Sequence, residues 1–170
     1  MLKRVLIFGT AVIAVTAVFA CGDDSGSLPA KPQIVTDRDT IVGSVFVGRL
    51  PDGGLGVQSR TDILSVTDKG QQDLVVSSIA VSGDQVLSLL TPVIIQPVDL
   101  PDGGVGSTTS NTIKSNKSGF LTVQCAPPAQ LGAVDGGSIT YTGELTIVSN
   151  AENKPNKTLG ITCTAVDGGI

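Results

Sequence analysis

From residue 34 onward the chain is a succession of short apolar segments, each closed by Gly, Pro, Asp or Ser. No stretch of twelve residues carries the i, i+3, i+4 apolar spacing of an amphipathic helix. The segments are Ile34-Val35, Ile41 to Val47, Asp62 to Val66, Leu74 to Val81, Val86 to Leu90, Val93 to Ile95, Phe120 to Cys125, Gly143 to Val148 and Leu159 to Cys163. Three alternate cleanly. Leu121, Val123 and Cys125 share one face, as do Leu145 and Ile147, and Leu159, Ile161 and Cys163, which is the period of a strand with one buried side. Leu74 to Val81 breaks the alternation and predicts either burial on both faces or a β-bulge. Seven or more short strands at regular intervals predict an all-β antiparallel sandwich.

The connections agree. Leu50-Pro51-Asp52-Gly53-Gly54-Leu55-Gly56 recurs as Leu100-Pro101-Asp102-Gly103-Gly104-Val105-Gly106, with shorter copies at Val134 to Gly137 and Val166 to Gly169. Asp-rich glycine loops suggest calcium. However, a calcium loop needs several oxygen ligands within about a dozen residues, and each copy supplies one carboxylate (Asp52, Asp102, Asp135, Asp167). Asp-Gly and Gly-Gly are turn formers, so the copies are expected to be turns and no metal site is predicted. Gly103 to Ser118 holds seven Ser or Thr and reads as a mobile loop. Asn116-Lys117-Ser118 and Asn156-Lys157-Thr158 fit the glycosylation sequon.

The first twenty residues are an address. Lys3 and Arg4 precede an apolar run of 16 residues, Val5 to Ala20. The run is shorter than the ~20 residues of a membrane span and suits a secretory signal. Val18-Phe19-Ala20-Cys21 resembles the lipobox of bacterial lipoproteins, with an aliphatic residue three before the Cys and a small one just before it; Phe19 departs from the usual small or aliphatic residue. The resemblance implies that Cys21 receives a diacylglycerol and becomes the acylated N-terminus. The alternative is an ordinary signal peptide cut near Ala20. Residues 1–20 are thus expected as signal, 21–31 as a polar tether and 32–170 as the folded domain. The implied location is the bacterial envelope, attached through lipid. Gly22 offers no inner-membrane retention signal of the kind an Asp there gives, which favours the outer membrane.

Loss of residues 1–20 removes two basic side chains and leaves 9 Lys and Arg against 15 Asp and Glu, a net charge of −6. Such a domain is a poor nucleic-acid binder and is repelled by anionic lipid headgroups. With Cys21 assigned to lipid, Cys125 and Cys163 remain as a pair in an oxidising compartment, expected to form a disulfide. The alternative is two small buried hydrophobes that never meet. The absence of any His excludes Ser-His-Asp and Cys-His nucleophiles and imidazole metal ligation. No catalytic residue and no cofactor is predicted.

Several segments resemble the Abnormal-spindle/Hydin (ASH) immunoglobulin-like domains and the related choice-of-anchor D domains. Leu74 to Asp84 is similar to that family's "I-S-S-I, small, S-G-D" strand. Asp68-Lys69-Gly70 stands where the family has N-x-G. Leu121-Thr122-Val123-Gln124-Cys125-Ala126-Pro127 is similar to "L-x-V-x-F-x-P", with Cys125 in place of the aromatic. Gly143 to Asn150 is similar to "A-x-L-x-I-x-S-N", and Thr158 to Ala165 takes the place of the last strand, where Cys163 and Ala165 depart from the pattern. The resemblance spans residues 32 to 166 and implies a seven-stranded immunoglobulin-like sandwich with a binding or scaffold role. The replacement of two family positions by Cys together supports their pairing. The expected function is a non-catalytic envelope module with a protein partner. The alternative is a structural, adhesin-like unit that self-associates through an edge strand.

Overall fold

The computed structural model describes residues 27–49, 55–57, 59–91, 94–101, 103–128 and 137–167. Its strands are β1 (Ile34–Thr36), β2 (Thr40–Arg49), β3 (Leu55–Val57), β4 (Arg60–Asp68), β5 (Leu74–Gly83), β6 (Leu87–Leu89), β7 (Ile95–Asp99), β8 (Val105–Thr109), β9 (Thr112–Ile113), β10 (Ser118–Cys125), β11 (Ser138–Ser149) and β12 (Asn156–Asp167). One sheet has the order β1-β4-β10-β7-β8, with β6 also on β10; the other runs β3-β2-β12-β11-β5-β9. Strands β1, β4, β10 and β7 take the A, B, E and D places of an immunoglobulin sandwich, and β5, β11 and β12 take C, F and G. The all-β immunoglobulin-like expectation holds. Six strands are five residues or shorter, which is why the total exceeds seven.

The two sheets bury their inner faces against each other. Leu64 and Val66 of β4 and Leu121 and Val123 of β10 meet Leu145 and Ile147 of β11 and Leu159 and Ile161 of β12. The sets on β10, β11 and β12 follow the period-two phase read from the sequence. The broken phase of β5 is a bulge. Val148 lies opposite Ser78, but Ser149 lies opposite Val76, so Ser77 is the extra residue, and its hydroxyl donates to the Val148 carbonyl. Leu74 and Val76 point inward before it, and Ile79 and Val81 pack on the core after it. One added residue moves the inward phase from even to odd positions.

The first strand is divided between the sheets. β1 pairs with β4, the chain crosses at residues 37–39, and β2 then pairs in parallel with β12 from Thr40–Gly160 to Val47–Asp167. All other pairings are antiparallel. β2 and β12 both start from the same end of the sandwich, so the parallel pair needs no crossover helix.

Gly103 to Ser118 is ordered strand and turn rather than a mobile loop. β7 and β8 form a hairpin in register from Ile95–Thr109 to Asp99–Val105. Its turn is closed by Gly103 N–H to Leu100 O, with Gly103 at φ +82°, a conformation that costs glycine little. Gln96 donates its amide to the carbonyls of Ser110 and Thr112 and steers the chain to β9. Asn116 adopts φ +55° in the turn before β10, which gives this sequon residue a local backbone role. The strand expected at Val93 to Ile95 begins at Ile95 and runs through Pro97. Pro97 is tolerated because β7 pairs with β10 at Ile95 alone. The turn copies at Asp52 and Asp135, and residue Asp102, lie outside the described residues.

Candidate functional site

The N-terminal segment enters at one end of the sandwich, where side-chain hydrogen bonds hold four stretches of chain together. Leu28 O accepts from the Gln71 amide (2.7 Å) and Pro29 O from the Gln71 backbone (2.8 Å). Pro32 O accepts from Glu152 N–H, and Gln33 O from Lys69 N–H. Residues 27–31, expected as part of a flexible tether, are therefore docked on the β4–β5 and β11–β12 connections. Gly70 is essential to this approach: a Cβ there would sit against the Lys31 carbonyl and Pro32 Cα.

Three side chains act as backbone substitutes at this end. Asp68, fully buried, accepts from Gln33 N–H (3.0 Å) and Gly70 N–H (2.8 Å) through Oδ1. Its Oδ2 is buried without a hydrogen-bond partner among the described residues. Asn150 accepts from Val75 N–H (2.7 Å) and donates to Asp73 O (3.2 Å). Asn153 accepts from Ile34 N–H (3.0 Å) and donates to Ile34 O (2.8 Å), completing β1 as a strand partner would. The sequence placed Asp68 and Asn150 in family motifs but gave no role to either, and it gave no signal for Asn153.

Ion pairs ring the same end. Lys31 meets Glu152 and Lys114 meets Asp73, both at 2.6 Å. The buried stem of Lys157 carries its ammonium out to exposed Asp39. The hydrogen bond from Lys157 holds the Asp39 carboxyl below the ordinary range, and that from Lys114 does the same for Asp73. The hydrogen bond to Glu152 raises the Lys31 ammonium. Lys31, Glu152, Lys114 and Asp39 are exposed, so the pairs are weakly stabilising and screened by salt.

The expected cysteine pair is joined. Cys125 at the end of β10 and Cys163 on β12 form a disulfide between the two sheets, with Cα atoms 6.4 Å apart, inside the range such bridges span. Both are buried. Cys21, the expected lipidation site, lies outside the described residues.

The second feature is an open edge. β3 covers β2 only at Val47 to Arg49. Among the described residues no strand pairs the outer edge of Thr40 to Phe46. This stretch has no charge and no Pro, and its outward side chains Val42 and Phe46 are 66% and 57% exposed. The Arg60–Asp62 ion pair lies against Gly43 between the sheets. Among the described residues no three Cys, Asp or Glu side chains converge as a metal site would require.

No family model and no curated protein matches the chain. Solved structures similar to it include a protein of unknown function from Porphyromonas gingivalis W83, at 13% identity and a TM-score of 0.46, covering 84% of this chain and 50% of that one. The chain thus spans half the length of that protein. The ASH/PapD-like domain 7 of human CEP192 is similar at 13% identity and a TM-score of 0.38, covering 98% of this chain and 99% of the other. The CupB6 tip adhesin from Pseudomonas aeruginosa is similar at 13% identity and a TM-score of 0.43, covering 84% and 44%.

Proposed function

We propose that this chain is a lipid-anchored bacterial envelope protein whose sandwich is a non-catalytic binding or scaffold module. The observation that carries the reading is Val18-Phe19-Ala20-Cys21 at the end of the 16-residue apolar run that follows Lys3 and Arg4. A lipid anchor supplies about 0.8 kcal/mol per buried CH₂, and two or more acyl chains hold a protein stably. The sandwich contributes binding surfaces rather than a reaction centre. It has no His for proton transfer near neutral pH, and its side-chain clusters are absorbed in holding loops together. The test is Cys21→Ser, read by fractionation. The protein should leave the membrane fraction for the soluble periplasm, and unchanged partitioning would overturn the anchor.

A second reading, self-association as a structural or adhesin-like unit, draws support from the open, uncharged edge of β2. Long uncharged edges invite strand addition. Gel filtration across a wide concentration range decides it: a monomer throughout removes this reading.

A further inference from the structure

We propose that the open edge of β2, Thr40 to Phe46, pairs antiparallel with the same edge of a second copy about a two-fold axis at Gly43. The inference rests on the self-association reading and gives it a surface, a partner and a register.

The first ground is how the edge is bounded. Thr40 to Phe46 follows β12 without a register shift, so it is unbulged. At its start the chain leaves the sheet plane, because residues 37–39 cross from β1 in the other sheet. At its end β3 takes up the edge from Val47. Gly43 is the midpoint of the stretch between. Rotation about it sets Thr40 against Phe46, Ile41 against Val45 and Val42 against Ser44. Residue 39 of the second copy then falls opposite Val47, where β3 already pairs. That is where the second copy's chain turns out of the plane, so each crossing clears the other copy's β3. The two entry ends lie at opposite ends of the shared sheet, so with both anchors in one bilayer the strands run along its surface.

The second ground is the side chains. On the outer face Phe46 lies opposite Thr40 and diagonal to Val42 of the second copy, within reach of an aromatic ring. Symmetry gives two such contacts, and they cover the two apolar side chains that β2 leaves exposed. On the inner face Ile41 and Val45 are already buried. Copies of an acidic chain, at −4, repel one another at most surfaces, but this edge carries no charge. The charged side chains at its borders are paired within their own copy: Asp37 with Arg38, Asp39 with Lys157, and Arg60 with Asp62. Lys154 lies toward Asp39 as well. Arg60 rests against Gly43, where a Cβ would meet its Cδ, so the central residue has to be small. The strand β5 in the same sheet is covered by β9 only at Leu74 and Val75, but it is bulged at Ser77 and turns only Ser78, Ala80 and Ser82 outward beyond the bulge. It offers a partner nothing apolar to bury.

Residues directly opposite in an antiparallel pair have Cα atoms about 4.5–5.5 Å apart, a separation that a disulfide spans. The experiment mixes Val42→Cys and Ser44→Cys forms of the mature protein in detergent and oxidises them with diamide, which takes up the two thiol hydrogens as one disulfide forms. Both positions are exposed, so neither change disturbs the core. The mixture should form disulfide-linked dimer about tenfold faster than either form alone, where the two thiols sit diagonally at ~7–8 Å. The parent protein should form none. Sedimentation gives a second measure. Val42→Lys puts a charge on the edge and should weaken the dimer about tenfold, while Ala80→Lys on β5 should leave it unchanged. A dimer that cross-links no faster in the mixture than in either form alone overturns this pairing and leaves self-association standing. A monomer at every concentration overturns both and leaves the edge to a strand of another protein.

Discussion

The two ends of this sandwich are held by different chemistry. At the entry end, four stretches of chain meet through side-chain hydrogen bonds from Asp68, Asn150 and Asn153. Toward the other end, where β10 stops and β12 nears its close, one covalent bridge joins the sheets at Cys125–Cys163. Aromatic residues make up only 3% of the chain, so neither end can rely on the large side chains that usually dominate burial. The comparison shows two substitutes for bulk. A disulfide constrains the unfolded chain wherever its ends lie, whereas a polar suture works only while each donor and acceptor stays in register.

The largest expected effect comes from breaking the covalent side. Replacing both Cys125 and Cys163 with Ala should lower stability by about 4 kcal/mol, from the closure entropy of a loop of this length. Urea unfolding with and without reductant measures it. A change below about 1 kcal/mol would show that the bridge contributes little beyond burial of two small side chains. Free-thiol labelling of the denatured, unreduced mature protein should find no reactive thiol.

The polar side is sharpened by two substitutions at Asp68. Asp68→Ala removes the acceptor of two backbone N–H groups and should cost about 1–3 kcal/mol. Asp68→Asn keeps Oδ1 and removes a buried charge whose Oδ2 has no partner. It should be as stable as the parent or more so. A loss as large as that of Ala would mean that the carboxylate charge itself is needed.

Asn153→Ala should cost less, about 1 kcal/mol, and its effect should be local. Amide exchange should quicken at Ile34 and its neighbours while residues around Cys163 stay protected. Equal loosening at both ends would show that the two fastenings are one cooperative unit.

The smallest effect is in acid. Asp39 and Asp73 have carboxyls depressed by their lysine partners. A depressed carboxyl contributes stability above its unfolded value, near 4, and loses that contribution as pH falls through its lower folded value. The melting temperature should therefore hold from pH 7 to pH 5 on account of these pairs and decline only below about pH 4. A fall already complete at pH 5 would point to other groups.

Much of the fold was legible because alternation is a local property. Leu121, Val123 and Cys125 declare their buried face through spacing alone, and the failed alternation of Leu74 to Val81 already contained the bulge at Ser77. The hairpin of β7 and β8 was not legible. Its residues 105–109 read Val-Gly-Ser-Thr-Thr, because an edge strand exposed on both faces has no apolar side to betray it. The docking of residues 27–31 was hidden for a related reason: it uses backbone carbonyls, which every sequence possesses.

By itself the sequence determined the secondary-structure class, the inward phase of the long strands and the exclusion of imidazole chemistry, since these follow from residue type and period two. It also narrowed the cysteines to a pair. Only the tertiary structure decided that the first strand divides between sheets, that β2 lies parallel to β12 with an open outer edge, and that six lysines scattered over 127 positions of chain gather at one end. Those features depend on which strand ends are neighbours. Neighbourhood is set by the packing of whole sheets, which no window of adjacent residues encodes.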